Sequence, residues 1–163
     1  MAKTFDLETS PGHLLRRAQQ YANDLYTNEV DAGGLTQRQF AVLFAVDQQE
    51  GVSQTALVAL TGIDRSTLAD MIVRMQKKDL LARKRTDEDQ RANAVRITPV
   101  GRRALRAAMP AVQRSETRIF EVLPVRLRAD FIKALTLIAQ AVADTQTPDG
   151  EDGDGKPKGR KRR

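Results

Sequence analysis

Residues 53–98 read SQTALVALTGIDRSTLADMIVRMQKKDLLARKRTDEDQRANAVRIT, and the fold turns on how this run is punctuated. Ser53 stands where a side-chain oxygen would cap a short helix, Ser53–Leu60, whose apolar contacts are Leu57 and Leu60. The link Thr61-Gly62-Ile63 follows. Gly62 can take a positive φ at no steric cost, so one helix can stop and the next start at a sharp angle. Asp64 is the next N-cap, and Leu68, Met71, Ile72 and Met75 then form one face of a helix reaching Asp79. Leu80-Leu81 leads into a strand. Leu81–Thr86 and Ala92–Thr98 flank the polar tip Asp87–Arg91, which predicts a two-stranded hairpin with an extended, glycine-free loop.

Placed on a wheel of about 100° per residue, the other face of the 64–79 helix holds Ser66, Ala69, Asp70, Val73, Arg74 and Lys77. It is narrow, mostly small at its leading end and basic at its far end. A helix enters the major groove of duplex DNA only if its leading side chains do not hold it off, and Ser66 and Ala69 meet that need. Ser66 and Thr67 can bond base edges or phosphates, and Arg65 and Arg74 have the reach for a guanine or a phosphate. Asp70 would repel phosphate unless paired, and Arg74, four residues on, is the expected partner. Lys84 and Arg85 add positive charge on the first strand, beside Arg83. Arg91, near the end of the long loop, is placed to enter a minor groove, where a narrow A·T-rich tract has enhanced negative potential. Asp89 could hold it by a charge-assisted hydrogen bond. Asp87, Glu88 and Asp89 otherwise oppose DNA, and the plainer readings are a solvated amphipathic helix and a structural ion pair at a loop tip.

Ser10 and Pro11 give a cap-plus-N1-proline signal upstream, followed by Leu14, Ala18, Tyr21 and Leu25 at helical spacing up to Gly33-Gly34. Thr36-Gln37-Arg38-Gln39 has the form of a capping box, with Phe40, Leu43, Phe44 and Val46 as the buried side of a helix to about Gln49. Val52 could add one residue of ladder to a small sheet. Thr98-Pro99 repeats the cap signal for a helix towards Val122, with Leu105, Met109, Val112, Ile119 and Phe120 as contacts and Pro110 bending its middle. A last helix begins near Pro124 and carries Leu127, Phe131, Leu135, Ile138 and Val142.

These terminal helices are too long and apolar to decorate a small DNA-binding unit. They are expected to pack with the first helix against a second copy of the chain. A two-fold homodimer would set its recognition helices on successive major grooves of a pseudopalindrome, about 34 Å apart. The predicted architecture is mainly α with a small β wing: a winged helix-turn-helix with long N- and C-terminal dimerisation helices. Residues 1–9 are expected to be a flexible N-terminus, 10–35 and 99–146 a helical dimerisation region, 36–98 the DNA-binding domain, and 147–163 a disordered charged tail without apolar residues.

Composition narrows the function classes. The 163 residues contain no Cys and no Trp, which excludes a disulfide framework, a thiolate metal site and thiol-oxidation sensing. No stretch reaches about 18 apolar residues and the start has no apolar run, so the expected protein is soluble, cytoplasmic and without a membrane partner. The formal net charge is +6, from 27 Lys and Arg against 21 Asp and Glu. Charge alone permits nucleic-acid binding without requiring it, but its clustering at Arg83, Lys84, Arg85, Arg91, Arg96, Arg102 and Arg103 suits a phosphate backbone. A lone His13 with no nearby nucleophile, no metal-ligand cluster and no glycine-rich phosphate loop argue against an enzyme. No cofactor is implied.

Taken together, residues 12–145 resemble the MarR (multiple-antibiotic-resistance) family of winged helix-turn-helix regulators. The resemblance rests on DEDQRANAVRITPVG at 87–101, with Asp89, Arg91, Val95, Ile97, Thr98 and Gly101 in the pattern of the family's wing. It rests also on DRSTL at 64–68, Arg74-Met75 and Leu80-Leu81. It implies a dimeric transcription regulator, usually a repressor, with recognition helices in major grooves and wing arginines in minor grooves. It further implies release of DNA by an aromatic acid or, in degradation-linked members, an acyl-coenzyme A thioester. GHLLRRA at 12–18 is similar to that subgroup, and by position His13, Arg16, Arg17, Tyr21, Arg38 and Phe40 would border the ligand pocket. The competing expectation is a constitutive DNA-binding or architectural protein with no inducer.

Overall fold

The computed structural model describes residues 5–30, 34–49, 51–84 and 94–146, with the side chains of Lys84 and of 142–146 outside that description. Among the described residues, six helices and one hairpin follow in the order α1 (Pro11–Glu29), α2 (Gln37–Gln48), α3 (Gln54–Thr61), α4 (Arg65–Lys77), β1 (Leu81–Lys84), β2 (Ala94–Ile97), α5 (Pro99–Glu121) and α6 (Val125–Gln146). This is the predicted mainly α architecture with a small antiparallel wing.

The local signals act where the sequence places them. The Thr36 hydroxyl accepts from Gln39 N–H at 3.2 Å while the Gln39 side chain accepts from Thr36 N–H at 3.1 Å, completing the capping box of α2. Ser53 caps α3 through Ala56 N–H at 3.1 Å, and Gly62 closes that helix in the left-handed region at φ 65°. Asp64 then caps α4. Ser10 differs: it sits at the N-cap of α1 without a side-chain cap bond. Residues 6–10 form a turn instead, in which the Asp6 carboxylate accepts from Glu8 N–H and the Thr9 hydroxyl, and Ser10 N–H donates to Leu7 C=O.

One core joins the helix-turn-helix to the wing and to the start of α5. Val42, Leu43 and Val46 of α2 meet Leu57 of α3, Leu68, Ile72 and Met75 of α4, Val95 of β2 and Leu105 of α5, all almost fully buried. α1 leaves this core and runs along α5. Its end is tied down by Tyr26, whose buried hydroxyl donates to Leu35 C=O at 2.8 Å. Glu29 accepts from Arg114 at 2.8 Å and from Arg118 at 3.1 Å, both on α5. The hairpin register is Leu81↔Ile97, Ala82↔Arg96, Arg83↔Val95 and Lys84↔Ala94. Val52 adds the single bridge expected of it, accepting from Val95 N–H at 3.1 Å.

The exit from α4 carries two features that periodicity does not signal. Asp79 takes φ 54°, a left-handed turn that lets the chain reverse into β1. Thr98 then stitches the wing's base: its hydroxyl donates to the carbonyls of Asp79 and Leu80 and accepts from Gly101 N–H at 2.9 Å. Met109, Ile119 and Phe120 of α5 are only half-buried within one chain, and Pro110 sits inside a continuous helix. Leu127, Leu135 and Ile138 of α6 are exposed and Phe131 is half-buried. No described helix is long and apolar enough to cross a membrane.

Candidate nucleic-acid interface and adjoining cleft

The geometry of α4 follows from the partition of its two faces. Leu68, Met71, Ile72 and Met75 are buried, and they anchor the helix without using any side chain of the opposite face. That face leaves Arg65, Ser66, Asp70, Val73, Arg74 and Lys77 exposed, with Thr67 and Ala69 half-buried at its border. The N-terminal turn is the best-organised part. Asp64 Oδ1 accepts from Thr67 N–H at 2.9 Å and from the Ser66 hydroxyl at 2.7 Å. These bonds, the Thr67 backbone N–H first, hold the Asp64 carboxyl down at about 2. The Ser66 hydroxyl proton is thus committed to Asp64, and its oxygen remains an acceptor. Arg65 reaches back to α3 and donates to the Thr55 hydroxyl at 3.4 Å, which places its guanidinium along the leading edge of both helices.

Two electrostatic details differ from the sequence reading. The ion pair expected between Asp70 and Arg74 is not formed among the described residues, whose pairs are Arg102–Asp47, Arg114–Glu29 and Arg118–Glu29. The physical reason is that an exposed i,i+4 pair gains only about 0.3–0.5 kcal/mol, too little to fix two long side chains in one geometry. Arg102, counted in the basic run, is turned to Asp47 of α2 at 3.1 Å and so braces α5 against α2. Lys84 ends β1, with its side chain outside the described residues. Arg85, Arg91, the tip 87–91 with its Asp89–Arg91 contact, and the tail 147–163 also lie outside them.

Behind the α3–α4 turn lies a cleft of about 1120 Å³. One wall is the face of α1 carrying Gln19, Asn23, Tyr26 and Thr27, with Val30 just past its end. Another is the start of α2, with Leu35, Thr36, Gln37, Arg38 and Ala41, and the floor is Thr61–Asp64. Burial pushes the Tyr26 phenol up from its ordinary range, so it stays a neutral donor at physiological pH. Of the six residues expected to border a ligand pocket, Arg38 lines this cleft. Tyr21 is exposed on α1 outside its lining, and Phe40 is half-buried, packed on the core and stacked on Phe44 with ring centroids 6.0 Å apart. His13 and Arg16 touch at 3.4 Å in the first turns of α1, beside Arg17, away from the cleft. The polar wall residues Gln19, Asn23 and Thr27 escaped the sequence reading. Their signal was a polar i, i+4, i+8 stripe beside the apolar positions of α1.

A sequence profile of the MarR family matches residues 33–92, the helix-turn-helix and the first strand of the wing. The transcriptional regulator HosA of Escherichia coli is 33% identical over 98 residues, which cover 60% of this chain and 71% of HosA. BpsR of Bordetella bronchiseptica, whose DNA binding is regulated by 6-hydroxynicotinic acid, superposes with a TM-score of 0.76 at 29% identity, covering 83% of this chain and 98% of that one. The transcriptional repressor CouR bound to a 23-mer DNA duplex gives a TM-score of 0.74 at 30% identity, over 85% of this chain and 99% of the other. CouR of Rhodococcus jostii bound to p-coumaroyl-CoA gives 0.71 at 26% identity, over 83% and 96%. With the wing, the capped α3–α4 unit and these relatives together, the chain belongs to the MarR family of winged helix-turn-helix transcriptional regulators.

Proposed function

We propose that the chain is a dimeric, ligand-responsive repressor that binds a pseudopalindromic operator and is released by an aromatic acid or its coenzyme A thioester. The carrying observation is the cleft, whose walls run from α1 to the Thr61–Asp64 turn that sets the angle of α4. A ligand seated there touches both the long helices and the DNA-reading unit, so it can favour one spacing of the two α4 helices over another. Arg38 is the cation on the wall, suited to a carboxylate or a phosphate. The DNA-binding roles are assigned to Arg65, Ser66, Thr67 and Ala69 at the leading end of α4, Arg74 and Lys77 at its far end, and Lys84, Arg85 and Arg91 on the wing. The exposed Leu127, Leu135 and Ile138 of α6 and Leu14 of α1 supply the apolar surface for a second copy. Residues 10–35 and 99–146 then form the dimerisation region around the 36–98 unit. The chemistry named for BpsR and CouR supports the ligand class.

The test is a mobility-shift titration of the DNA upstream of the protein's own gene, at fixed salt, with a panel of aromatic acids and their coenzyme A thioesters. The expected result is specific binding in the nanomolar range that one class of compound abolishes. Arg91→Ala should weaken binding, and Arg38→Ala should retain binding and lose the release. Binding that no compound alters would overturn the ligand-responsive reading in favour of a constitutive DNA-binding protein.

A further inference from the structure

Asp70 lies in the middle of the DNA-facing side of α4. One turn before it is Ser66, Val73 and Arg74 are one turn after, and Lys77 is beyond. It is exposed, and no described cation neutralises it. Val73 is 42% exposed on the same side, and half-buried Ala69 is beside it, so the surroundings of Asp70 on its own helix are small or apolar except for Arg74 and Lys77. A carboxylate with no ion-pair partner among the described residues is a liability against DNA at almost every position. It only accepts hydrogen bonds, and phosphate oxygens, guanine O6 and N7, and thymine O4 are all acceptors. Adenine sets its N7 acceptor next to the N6 amino group. Cytosine alone presents an amino donor in the major groove without a neighbouring acceptor on the same base.

We propose that Asp70 is a base-reading residue that accepts a hydrogen bond from the N4 amino group of one cytosine in each operator half-site. The assignment rests on the DNA-binding role of α4 proposed above, and it adds a specificity that the fold alone does not supply. Arg74, relieved of Asp70, is free to reach a phosphate or a guanine. Because guanine and thymine offer the carboxylate only acceptors, and adenine sets an acceptor beside its one donor, Asp70 acts as much by exclusion as by attraction.

The experiment is a binding selection from a random-sequence duplex library, using the full-length wild-type chain and the variants Asp70→Asn and Asp70→Ala. The wild type should enrich a two-fold motif with a cytosine in each half-site, preferred roughly tenfold or more over other bases, the range of a single mismatched contact. An asparagine pairs with adenine N6 and N7, so Asp70→Asn should keep the rest of the motif and change that cytosine to adenine. Asp70→Ala should flatten the position and leave its neighbours unchanged. A motif identical in all three proteins overturns the assignment and leaves the DNA-binding role intact. Loss of all selection by both variants, with their thermal melts unchanged, also overturns it, since removing a negative charge should not weaken phosphate contacts. No enriched motif with the wild type would overturn the DNA-binding role itself, and the assignment with it.

Discussion

Gly101→Ala offers the sharpest test of how the wing is attached. Gly101 is the third residue of α5, buried where that helix passes the end of α4. A Cβ built there would stand 2.1 Å from the carbonyl oxygen of Leu80, 2.9 Å from its carbon and 3.0 Å from Ile97 Cγ1. Ordinary C–H···O contacts sit at about 3.3–3.6 Å, so α5 must retreat by about 1.2 Å. The obstacle is backbone, which cannot swing aside as a side chain would. Overpacking of this kind typically costs about 1–3 kcal/mol. The retreat also loosens the Thr98 N–H bond to Leu80 C=O, now 3.2 Å, and such a bond contributes about 1 kcal/mol. Opposing these is the helix propensity of alanine over glycine, at most about 1 kcal/mol. The clash should win, with a net loss of about 2 kcal/mol, or a melting point lower by roughly 4–8 °C in a chain of this size. Urea unfolding of both proteins at one shared protein concentration measures it. If Gly101→Ala unfolds at the same or higher urea than wild type, then propensity outweighs the contact and the reasoning fails.

Two further outcomes follow from the flanks of α4. The Asp64 carboxyl is held at about 2, against 3.8 when unperturbed, so the unfolded chain binds the extra proton first. The stability Asp64 contributes is full above about pH 4 and is lost as pH falls through about 2. Asp64→Asn keeps a capping side chain without that titration, so the stability difference between the two proteins, followed by urea melts, should change only within this acid window. A difference that is flat with pH would show that the cap is not ionic. At Asp79, φ 54° penalises any side chain with a Cβ, less for aspartate than for alanine. Asp79→Ala should destabilise by about 1 kcal/mol and Asp79→Gly should stabilise, and equal melting of Asp79→Ala and wild type would contradict this.

The sequence by itself determined the helix-turn-helix and its caps. Ser53, Gly62, Asp64 and the Thr36–Gln39 box are local devices: each bonds a backbone group within a few residues, so their spacing suffices. The two faces of α4 were legible for the same reason, since a helix of fixed pitch converts spacing directly into direction. The pairing of Val52 with the wing and the paired start of α5 at Thr98-Pro99 were legible too. Other features required the tertiary structure. Asp70 and Arg74 were paired from spacing, but an exposed pair gains too little energy for spacing to enforce it. Arg102 was assigned to a DNA-facing run, and only the approach of α5 to α2 turns it to Asp47. The cleft belongs to neither α1 nor α2 nor the α3–α4 turn alone. Gln19, Asn23 and Thr27 became its wall because Tyr26 and Glu29 tie α1 to Leu35 and to α5. The Glu29 ties join residues far apart in the chain, and the space that they and the Tyr26 bond enclose is a property of packing, which no local pattern encodes.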